Sequence, residues 1–293
     1  MSELCRIISD TYSYIRTSAK AGANFVYRAN DEQKNYMKKK LFFLVLLALI
    51  PFSVSLFAQE NFILSHDDSL ALENVIVEKY YIAKSSDCKD TTGGVLQKGS
   101  VTYRIFIDMK PGYKLQMVYG DQNHELLLKT STTFFNNQYI LAVTGYGIPY
   151  KEINNNTVAL DSWISMGAAS RLHTGIPIAD DKDGSILTRK ALLKADGLTN
   201  GVFPTFKPFN IDLNFFKDIK DASYFTTNNG AWAALEGVKG PNEDNKVLIA
   251  QLTTSGTLSI KLNVQIGTPT KGFVKFVATK PVKNEVQFKG LAF

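Results

Sequence analysis

Two short loops carry carboxylates whose spacing could hold a metal ion. The first loop contains Asp87 and Asp90, and the second contains Asp180, Asp181 and Asp183 directly before a glycine. Calcium takes six to eight oxygen ligands, and alternating carboxylates followed by a glycine can gather around it in a tight turn. The second loop does not fit the spacing of an EF-hand, and Asp residues in turns also hydrogen-bond to their own backbone. Calcium is therefore a candidate cofactor, with an ordinary Asp/Gly turn as the alternative at both loops.

Aromatic and acidic residues in the second half of the chain could bind or cleave sugars. Trp163 and Trp232 are the only tryptophans, and Asp161 lies two residues before the first of them. An exposed indole ring can stack on a sugar, although large aromatics in β proteins also belong to the core. A glycosidase needs two carboxylates on either side of the scissile bond, and the sequence identifies no partner for Asp161. Sugar binding by the tryptophans predicts that both rings are exposed to solvent.

A serine hydrolase site is not supported by the sequence. Ser165 and His173 lie close to Asp161 along the chain, but no G-x-S-x-G motif is present. The three histidines are far apart and show no zinc-binding spacing. No catalytic residue is predicted, so an enzyme remains the less favoured alternative.

Residues 37–58 have the three parts of a secretory signal. Three lysines precede an apolar run that extends to Ala58, and Pro51 interrupts that run. A cationic start, an apolar middle and a small residue at the end are typical of a cleaved export signal, whereas a membrane anchor needs about 20 apolar residues. We interpret residues 1–36 as an upstream extension that is not native to the protein, with translation starting at Met37. Export then predicts a location in the periplasm, at the cell surface or outside the cell, with membrane contact only during export.

Charge and cysteine content argue against nucleic-acid binding and against an internal disulfide. The chain has a formal net charge of +6, and eight basic and four acidic residues precede Gln59, so the remainder is nearly neutral. This balance gives no basic cluster of the kind that binds nucleic acid. Only Cys88 follows the signal, so an internal disulfide is excluded and the stability of the exported part must come from its core.

The residues after the signal show the alternation of half-buried strands. Residues 258–266 place five apolar side chains on one face and polar side chains on the other. We predict a hairpin between this strand and residues 247–252, and an earlier hairpin between residues 101–108 and 113–119 through a Pro111–Gly112 turn. Further strands are predicted at residues 75–83, 139–144, 157–165, 211–216, 273–278 and 285–293.

These strands predict an all-β protein, an antiparallel β-sandwich or jelly-roll. The domain covers residues 75–293 and follows a flexible segment at 59–74. Residues from about 168 to 210 lose the alternation and read as a long, irregular, loop-rich insertion, in which 187–193 could form a short helix.

Several phrases of the sequence are distinctive together. They occupy residues 77–81, 99–105, 111–116, 132–137, 159–163, 228–232 and 247–252. In these phrases the chain resembles a group of secreted, β-rich proteins of Gram-negative bacteria that use the type IX secretion route. The resemblance implies a compartment and no activity. Members of the group carry a longer acidic run in the first loop, where this chain has Thr92, which weakens the calcium interpretation.

Three functions are compatible with these features. The favoured one is a secreted, non-catalytic protein of the cell envelope or surface that serves adhesion, matrix or glycan binding, with an extracellular polysaccharide or surface matrix as partner. The second is a hydrolase of extracellular polymers that uses Asp161 and a second carboxylate. The third is a structural subunit that associates with copies of itself, in which the C-terminal strand pairs edge to edge.

Overall fold

Fifteen β-strands dominate the computed structural model, which describes residues 64–155, 157–181 and 205–293. The described residues all belong to one unit, Ile63–Phe293. The strands are β1 Leu72–Ile82, β2 Val101–Met109, β3 Lys114–Gly120, β4 Leu126–Thr130, β5 Trp163–Ile164, β6 Ala168–Ser170, β7 His173–Thr174, β8 Phe206–Phe209, β9 Tyr224–Thr227, β10 Gly230–Val238, β11 Lys246–Thr254, β12 Leu258–Lys261, β13 Asn263–Gly267, β14 Phe273–Val277 and β15 Glu285–Gln287.

The strands form three main sheets and one short hairpin. The central sheet has the order β1-β2-β11-β5, the six-stranded sheet has the order β15-β14-β13-β3-β10-β8, and the small sheet has the order β12-β4-β9. The hairpin joins β6 to β7. All pairs are antiparallel except the parallel pair β14–β15, so the predicted all-β, sandwich-like fold is confirmed.

Helical segments are short. A single turn of α-helix, α1 His66–Ser69, begins at the N-cap Ser65, whose side chain accepts a hydrogen bond from the backbone N–H of Asp68. The 3₁₀ helices among the described residues span Asp87–Lys89, Gly145–Gly147, Tyr150–Glu152, Val158–Leu160, Ile178–Asp180, Leu213–Lys217 and Lys289–Leu291. No helix in the described part of the chain has the length and apolar character needed to cross a membrane.

The main core lies between the central sheet on one side and the six-stranded and small sheets on the other. Ile105 and Ile249 of the central sheet belong to the same buried cluster as Val118 and Trp232 of the six-stranded sheet and Leu128 of the small sheet. Side chains of alternate residues in a strand point to opposite faces, so β2 contributes Tyr103, Ile105 and Ile107 to this core. In β11 a register shift between Leu248 and Ala250 interrupts the alternation. Burial of this apolar surface is the main favourable contribution to folding.

The central sheet is buried on its other face as well. We name residues 134–181 the covering segment, because most of its described buried apolar residues pack on this second face. The segment also contributes strand β5 to the edge of the sheet itself. Phe106 of β2 and Leu248 of β11 share a second buried cluster with Trp163, Leu160 and Ile148 of the covering segment. Strand β11 is therefore buried along almost its whole length, as is typical of strands with both faces covered.

The predicted hairpins are wrong, although their strands exist. β2 pairs with β1 and β11, whereas β3 pairs with β10 and β13. Gly112 has the expected positive φ of 91°, but the turn carries the chain from one layer of the sandwich to the other. The hairpin predicted between β11 and the strand after it is also not formed. β12 pairs with β4 in the small sheet, and β11 pairs with β2 and β5 in the central sheet.

Several predicted strands differ from the observed elements. The predicted strand at 258–266 is divided at Leu262 into β12 and β13, which lie in different sheets. Of the strand predicted at 211–216, residues 213–216 belong to the 3₁₀ helix Leu213–Lys217. Residues 139–144 form turns and bends with one isolated bridge at Thr144. Single apolar residues of these segments pack against the main core. They do so without the alternation of inward and outward side chains that a strand would have.

The segments predicted as flexible or irregular are partly described. β1 begins at Leu72, and Ala71 and Leu72 are buried in the main core, so the strand starts three residues before the predicted boundary at 75. In the predicted insertion, β6, β7 and β8 are strands. The short helix predicted at 187–193 lies outside the described residues, as does the export signal.

The last residues of the chain pair with the small sheet. Ile260 of β12 and Phe293 exchange two backbone hydrogen bonds of 2.8 and 3.0 Å. Ala292 forms an isolated bridge with Lys261. The C-terminal residues that the self-association hypothesis assigns to pairing with another copy therefore pair with β12 of their own chain.

Candidate ligand-binding groove

Both tryptophans are fully buried. Trp163, in β5, belongs to the second buried cluster. Trp232 lies in the main core, where its Nε1 donates a hydrogen bond of 3.1 Å to the carbonyl oxygen of Ser165. The prediction that these rings are exposed to bind sugar is wrong. Each Trp sits at an inward-facing position of its strand, where its large apolar surface stabilises the core.

Asp161 is a buried structural carboxyl group. Its Oδ1 accepts hydrogen bonds from the backbone N–H groups of Asn137 at 2.6 Å and Ser162 at 2.9 Å, and the residue is fully buried. Burial raises the pKa of Asp161 well above its usual range, although the two backbone hydrogen bonds oppose this. Because the carboxyl group is enclosed, it lines no cleft and cannot reach a sugar bond as the hydrolase hypothesis requires.

Ser165, His173 and Asp161 do not form a catalytic triad. The Ser165 hydroxyl donates to the carbonyl oxygen of Ala168 at 2.6 Å. The Nδ1 atom of His173 lies 2.9 Å from the hydroxyl of Ser170, and the Tyr150 ring stacks on the imidazole at 4.4 Å. Burial lowers the pKa of His173. Ser170 is itself fully buried, so this contact fastens the β6–β7 hairpin.

The carboxylates of the first acidic loop are engaged in local hydrogen bonds. Asp87 Oδ2 accepts from the Tyr81 hydroxyl at 2.9 Å and from the Lys84 N–H at 2.7 Å. Asp90 Oδ1 accepts from the Thr92 N–H at 3.0 Å, which forms an Asx turn. These contacts are those of an ordinary Asp-containing turn, the alternative to a calcium site at this loop.

The second acidic loop is tied to the central sheet by an ion pair. Both carboxylate oxygens of Asp180 lie 3.0–3.1 Å from Nζ of Lys246, at the start of β11. Asp181 follows Asp180, and Asp183 lies outside the described residues. Across residues 64–155, 157–181 and 205–293, no group of three or more His, Cys, Asp or Glu side chains could hold a metal ion.

A different surface has the features of a ligand site. We name it the β9 groove, because it consists of two neighbouring cavities that share Thr226 and Thr227 of β9. Their volumes are about 590 and 490 Å³, within the range of about 300–1,000 Å³ that is typical of ligand pockets. Sequence reasoning missed this site, because β9 is a four-residue strand without an unusual motif.

Tyr224 is the exposed aromatic residue of the groove. It lines the larger cavity, and 51% of its surface is exposed. Its neighbour in the strand, Phe225, is buried in the main core, so the alternation of the strand turns Tyr224 outward. Lys129, opposite Tyr224 on β4, places its ammonium group 5.9 Å from the centre of the ring.

Two carboxylates and an amide lie along the same cavity. They are Asp212, Asn214 and Asp218. Asp212 accepts a hydrogen bond of 2.9 Å from the Asn214 N–H and so caps the 3₁₀ helix Leu213–Lys217. Asp218 accepts hydrogen bonds from the N–H groups of Lys220 and Asp221, which lower its pKa. Asp218 is therefore an ionised hydrogen-bond acceptor at neutral pH.

The smaller cavity adds charges of both signs. Asp121 and Glu125 line it together with Lys261 and Lys280. The Thr226 hydroxyl donates a hydrogen bond of 2.7 Å to Glu125 Oε1, which connects the wall of this cavity to the strand it shares with the larger one.

Aromatic packing and a glycine hold the walls of the groove in place. The ring of Phe215 contacts those of Phe216 and Phe225 at centroid distances of 5.2 and 5.4 Å, so the 3₁₀ helix is fixed beside β9. A Cβ at Gly120 would lie 2.1 Å from the carbonyl oxygen of Thr227. Only glycine lets β3 pass this close to the end of β9.

Comparisons with profiles of known protein families, with curated proteins and with solved structures found no match to this chain. Any assignment of function therefore rests on the geometry of the groove and on the sequence.

Proposed function

We propose that the protein is an exported, non-catalytic glycan-binding protein of the cell envelope or surface, and that the β9 groove is its binding site. The observation that carries this proposal is the half-exposed ring of Tyr224 beside a cavity lined by Asp212, Asn214 and Asp218. The signal-like segment at residues 37–58 supports export.

The groove offers both kinds of contact that a sugar requires. One face of a pyranose ring carries C–H groups, which are attracted to the electron-rich face of an aromatic ring. Its hydroxyl groups donate hydrogen bonds, and an ionised acceptor makes such bonds shorter and stronger. Tyr224 supplies the aromatic face, and Asp218 supplies an ionised acceptor.

The lowered pKa of Asp218 favours a role in binding over a role as the proton donor of a hydrolase. A glycosidase needs one carboxylic acid with a raised pKa to protonate the leaving group. In the groove, the pKa of Asp218 is lowered by backbone hydrogen bonds. Asp161, whose pKa burial does raise, is enclosed and faces no cleft.

The test is a binding screen of the purified protein against bacterial and algal polysaccharides, first with calcium and then with EDTA. Wild type should bind at least one polysaccharide, and Tyr224→Ala should weaken that binding at least about tenfold, which corresponds to about 1.4 kcal/mol. Tyr139→Ala is the matched control, because Tyr139 is similarly exposed, at 47%, and lies outside the groove.

Two results would overturn the proposal. One is that no polysaccharide binds under either condition. The other is that Tyr224→Ala binds as tightly as Tyr139→Ala. Binding that disappears in EDTA would add a requirement for a divalent cation and would redirect attention to the acidic loops.

A further inference from the structure

Strand β1 is the longest strand at the edge of a sheet in the described part of the chain. It has 11 residues, ends the central sheet and pairs with β2 on one side. At the other ends of the main sheets, β5 has two residues, β15 has three, and β8 and β9 have four each. The outer side of β12 is hydrogen-bonded to Phe293. A long edge strand such as β1 is a place where a further strand can pair.

The backbone in the middle of β1 has hydrogen-bonding groups that face away from β2. The ladder with β2 is regular from Asn74 to Lys79 and has register shifts at both ends. In an antiparallel ladder, every second residue turns its N–H and C=O groups away from the paired strand. Val75 is such a residue, since its N–H donates to the side chain of Asn74 at 2.9 Å, and Val77 is the next. Among the described residues, residues 73–77 make no backbone hydrogen bond to an element other than β2.

The side chains of the same stretch are apolar on both faces of the sheet. Val75 and Val77 pack against the main core, and Ile76 packs against the second buried cluster. All three are only partly buried. A strand alongside β1 would bury more of these side chains, which is favourable.

Charged residues of opposite sign flank this apolar stretch. Glu73 and Lys79 are both exposed and are equally distant from Ile76 along the chain. In a two-fold antiparallel pairing centred on Ile76, Glu73 of each copy lies opposite Lys79 of the other, and Val75 lies opposite Val77. The two-fold symmetry forms this ion pair twice. Opposite charges directly across a strand pair stabilise it, whereas like charges destabilise it.

Other registers of the same pairing lose this match. A shift by two residues places Lys79 opposite Val75, or Glu73 opposite Val77. A shift by one residue brings backbone groups that point outward in one copy opposite groups that point inward in the other. The edge of β1 is therefore complementary to itself in one register.

We propose that β1 is a self-association surface, which pairs antiparallel with β1 of a second copy so that the two Ile76 residues lie opposite each other. The pairing joins the four-stranded central sheets of the two copies into one continuous sheet. It uses no residue that lines the β9 groove, so the inference does not depend on the proposed function. Because a contact along one strand is small, the dimer is weak and reversible.

The first experiment measures the dissociation constant of wild type and charge-reversal variants by sedimentation velocity, from about 1 μM to 1 mM protein. Wild type should change from monomer to dimer in this range. Glu73→Lys and Lys79→Glu should each weaken the dimer at least about tenfold, because each turns two attractive pairs into two repulsive ones.

The double variant Glu73→Lys/Lys79→Glu is the decisive control. It restores opposite charges across the interface, so its dissociation constant should return to within about threefold of wild type. Glu236→Lys makes the same change of charge at an exposed residue of β10 and should stay within about twofold of wild type.

Cysteine cross-linking tests the register. In a background with Cys5 and Cys88 replaced by serine, Ile76→Cys places two thiols opposite each other, within the Cα separation of about 4.4–6.8 Å that a disulfide needs. Asn74→Cys is the matched control, because its counterpart is displaced by four residues, or about 13 Å. Mild oxidation should link the Ile76→Cys protein into dimers and leave the Asn74→Cys protein as monomers.

A wild-type protein that stays monomeric up to about 1 mM would overturn the inference. So would single reversals that leave the dissociation constant unchanged, or a double variant that associates no better than the single ones. Cross-linking of Asn74→Cys as readily as Ile76→Cys would contradict the register and, with it, the ion pairs on which the interface depends.

Discussion

The covering segment and the β9 groove differ in how their functional-looking residues are used. The covering segment contains Asp161, Trp163 and His173, which have the chemistry of a site but are buried by the fold. Asp161 and His173 also hydrogen-bond to neighbouring residues. The groove has only common residue types, yet Tyr224 and its carboxylate neighbours reach solvent beside a cavity. A side chain that is exposed beside a cavity is therefore a better indication of a binding site than its residue type alone.

The largest expected effect contrasts the buried tryptophan with the exposed tyrosine. Trp232→Ala should lower the free energy of unfolding by about 3–5 kcal/mol, because it leaves a large cavity in the main core. Tyr224→Ala should change it by less than about 0.5 kcal/mol. Equilibrium unfolding in denaturant measures both changes. The dependence of the unfolding free energy on denaturant concentration should stay the same if the variants do not alter the folded and unfolded states.

Trp232→Phe serves as the control for this contrast. It retains an aromatic ring but removes the donor to the Ser165 carbonyl group, so its cost should lie below that of Trp232→Ala. If Tyr224→Ala destabilised the protein as much as Trp232→Ala does, the tyrosine would belong to the core, and the distinction between the two regions would fail.

The positions of the main strands could be predicted from the sequence, because half-buried strands leave a period of two. β2, β3, β11 and β14 lie where the alternation places them. Strand partners could not be predicted, since alternation records which face is buried and not which strand lies alongside. The Pro111–Gly112 turn has the same dihedral angles whether it closes a hairpin or, as here, crosses between layers.

For the candidate site, the sequence predicts the type of residue, an exposed aromatic side chain, but not which residue it is. The sequence predicts exposed aromatic residues at a binding surface, but Trp163 and Trp232 lie in the two buried clusters. Tyr224 owes its exposure to the inward packing of Phe225 and to the 3₁₀ helix beside it, and residues 211–216 had been predicted to form a strand. That long-range packing leaves no local signal in the sequence.

A pH-dependent effect is expected from the buried carboxyl group of Asp161 in the covering segment. Burial raises the folded-state pKa of Asp161, so the folded protein retains a proton that the unfolded chain releases above about pH 4. Stability should then fall as the pH rises from about 4 towards the folded-state pKa, by up to about 1.4 kcal/mol per unit.

Asp161→Asn should remove this dependence. The Asn Oδ1 can still accept from the N–H groups of Asn137 and Ser162, and a neutral amide has no proton to lose. Unfolding free energies of wild type and variant across pH 4–8 should diverge towards neutral pH, where the variant is the more stable. Parallel curves would show that Asp161 is not buried in its acid form and that the covering segment is open to solvent there.

The smallest effect is expected at the edge of the covering segment, where Asp180 binds Lys246. Both side chains are largely buried, with exposed fractions of 14% and 18%. Burial opposes the charge of Lys246, but the hydrogen bond and charge of Asp180, together with the charges of Asp244 and Asp108, raise its pKa overall. Asp180→Asn should lower the free energy of unfolding by about 1 kcal/mol, because Lys246 keeps a second carboxylate, Asp244, at 3.6 Å.

The control for that ion pair is Asp244→Asn, since Asp244 is 61% exposed and the change should cost less than about 0.5 kcal/mol. The same variants decide between the two interpretations of the second acidic loop. If Asp180 serves the ion pair, calcium leaves the Tm of wild type unchanged. If the loop binds calcium, the ion raises the Tm of wild type and not that of Asp180→Asn, because a ligand of the folded state stabilises it. In that case the edge of the covering segment would be a functional site. The contrast with the β9 groove would then hold only for the buried residues Asp161, Trp163 and His173.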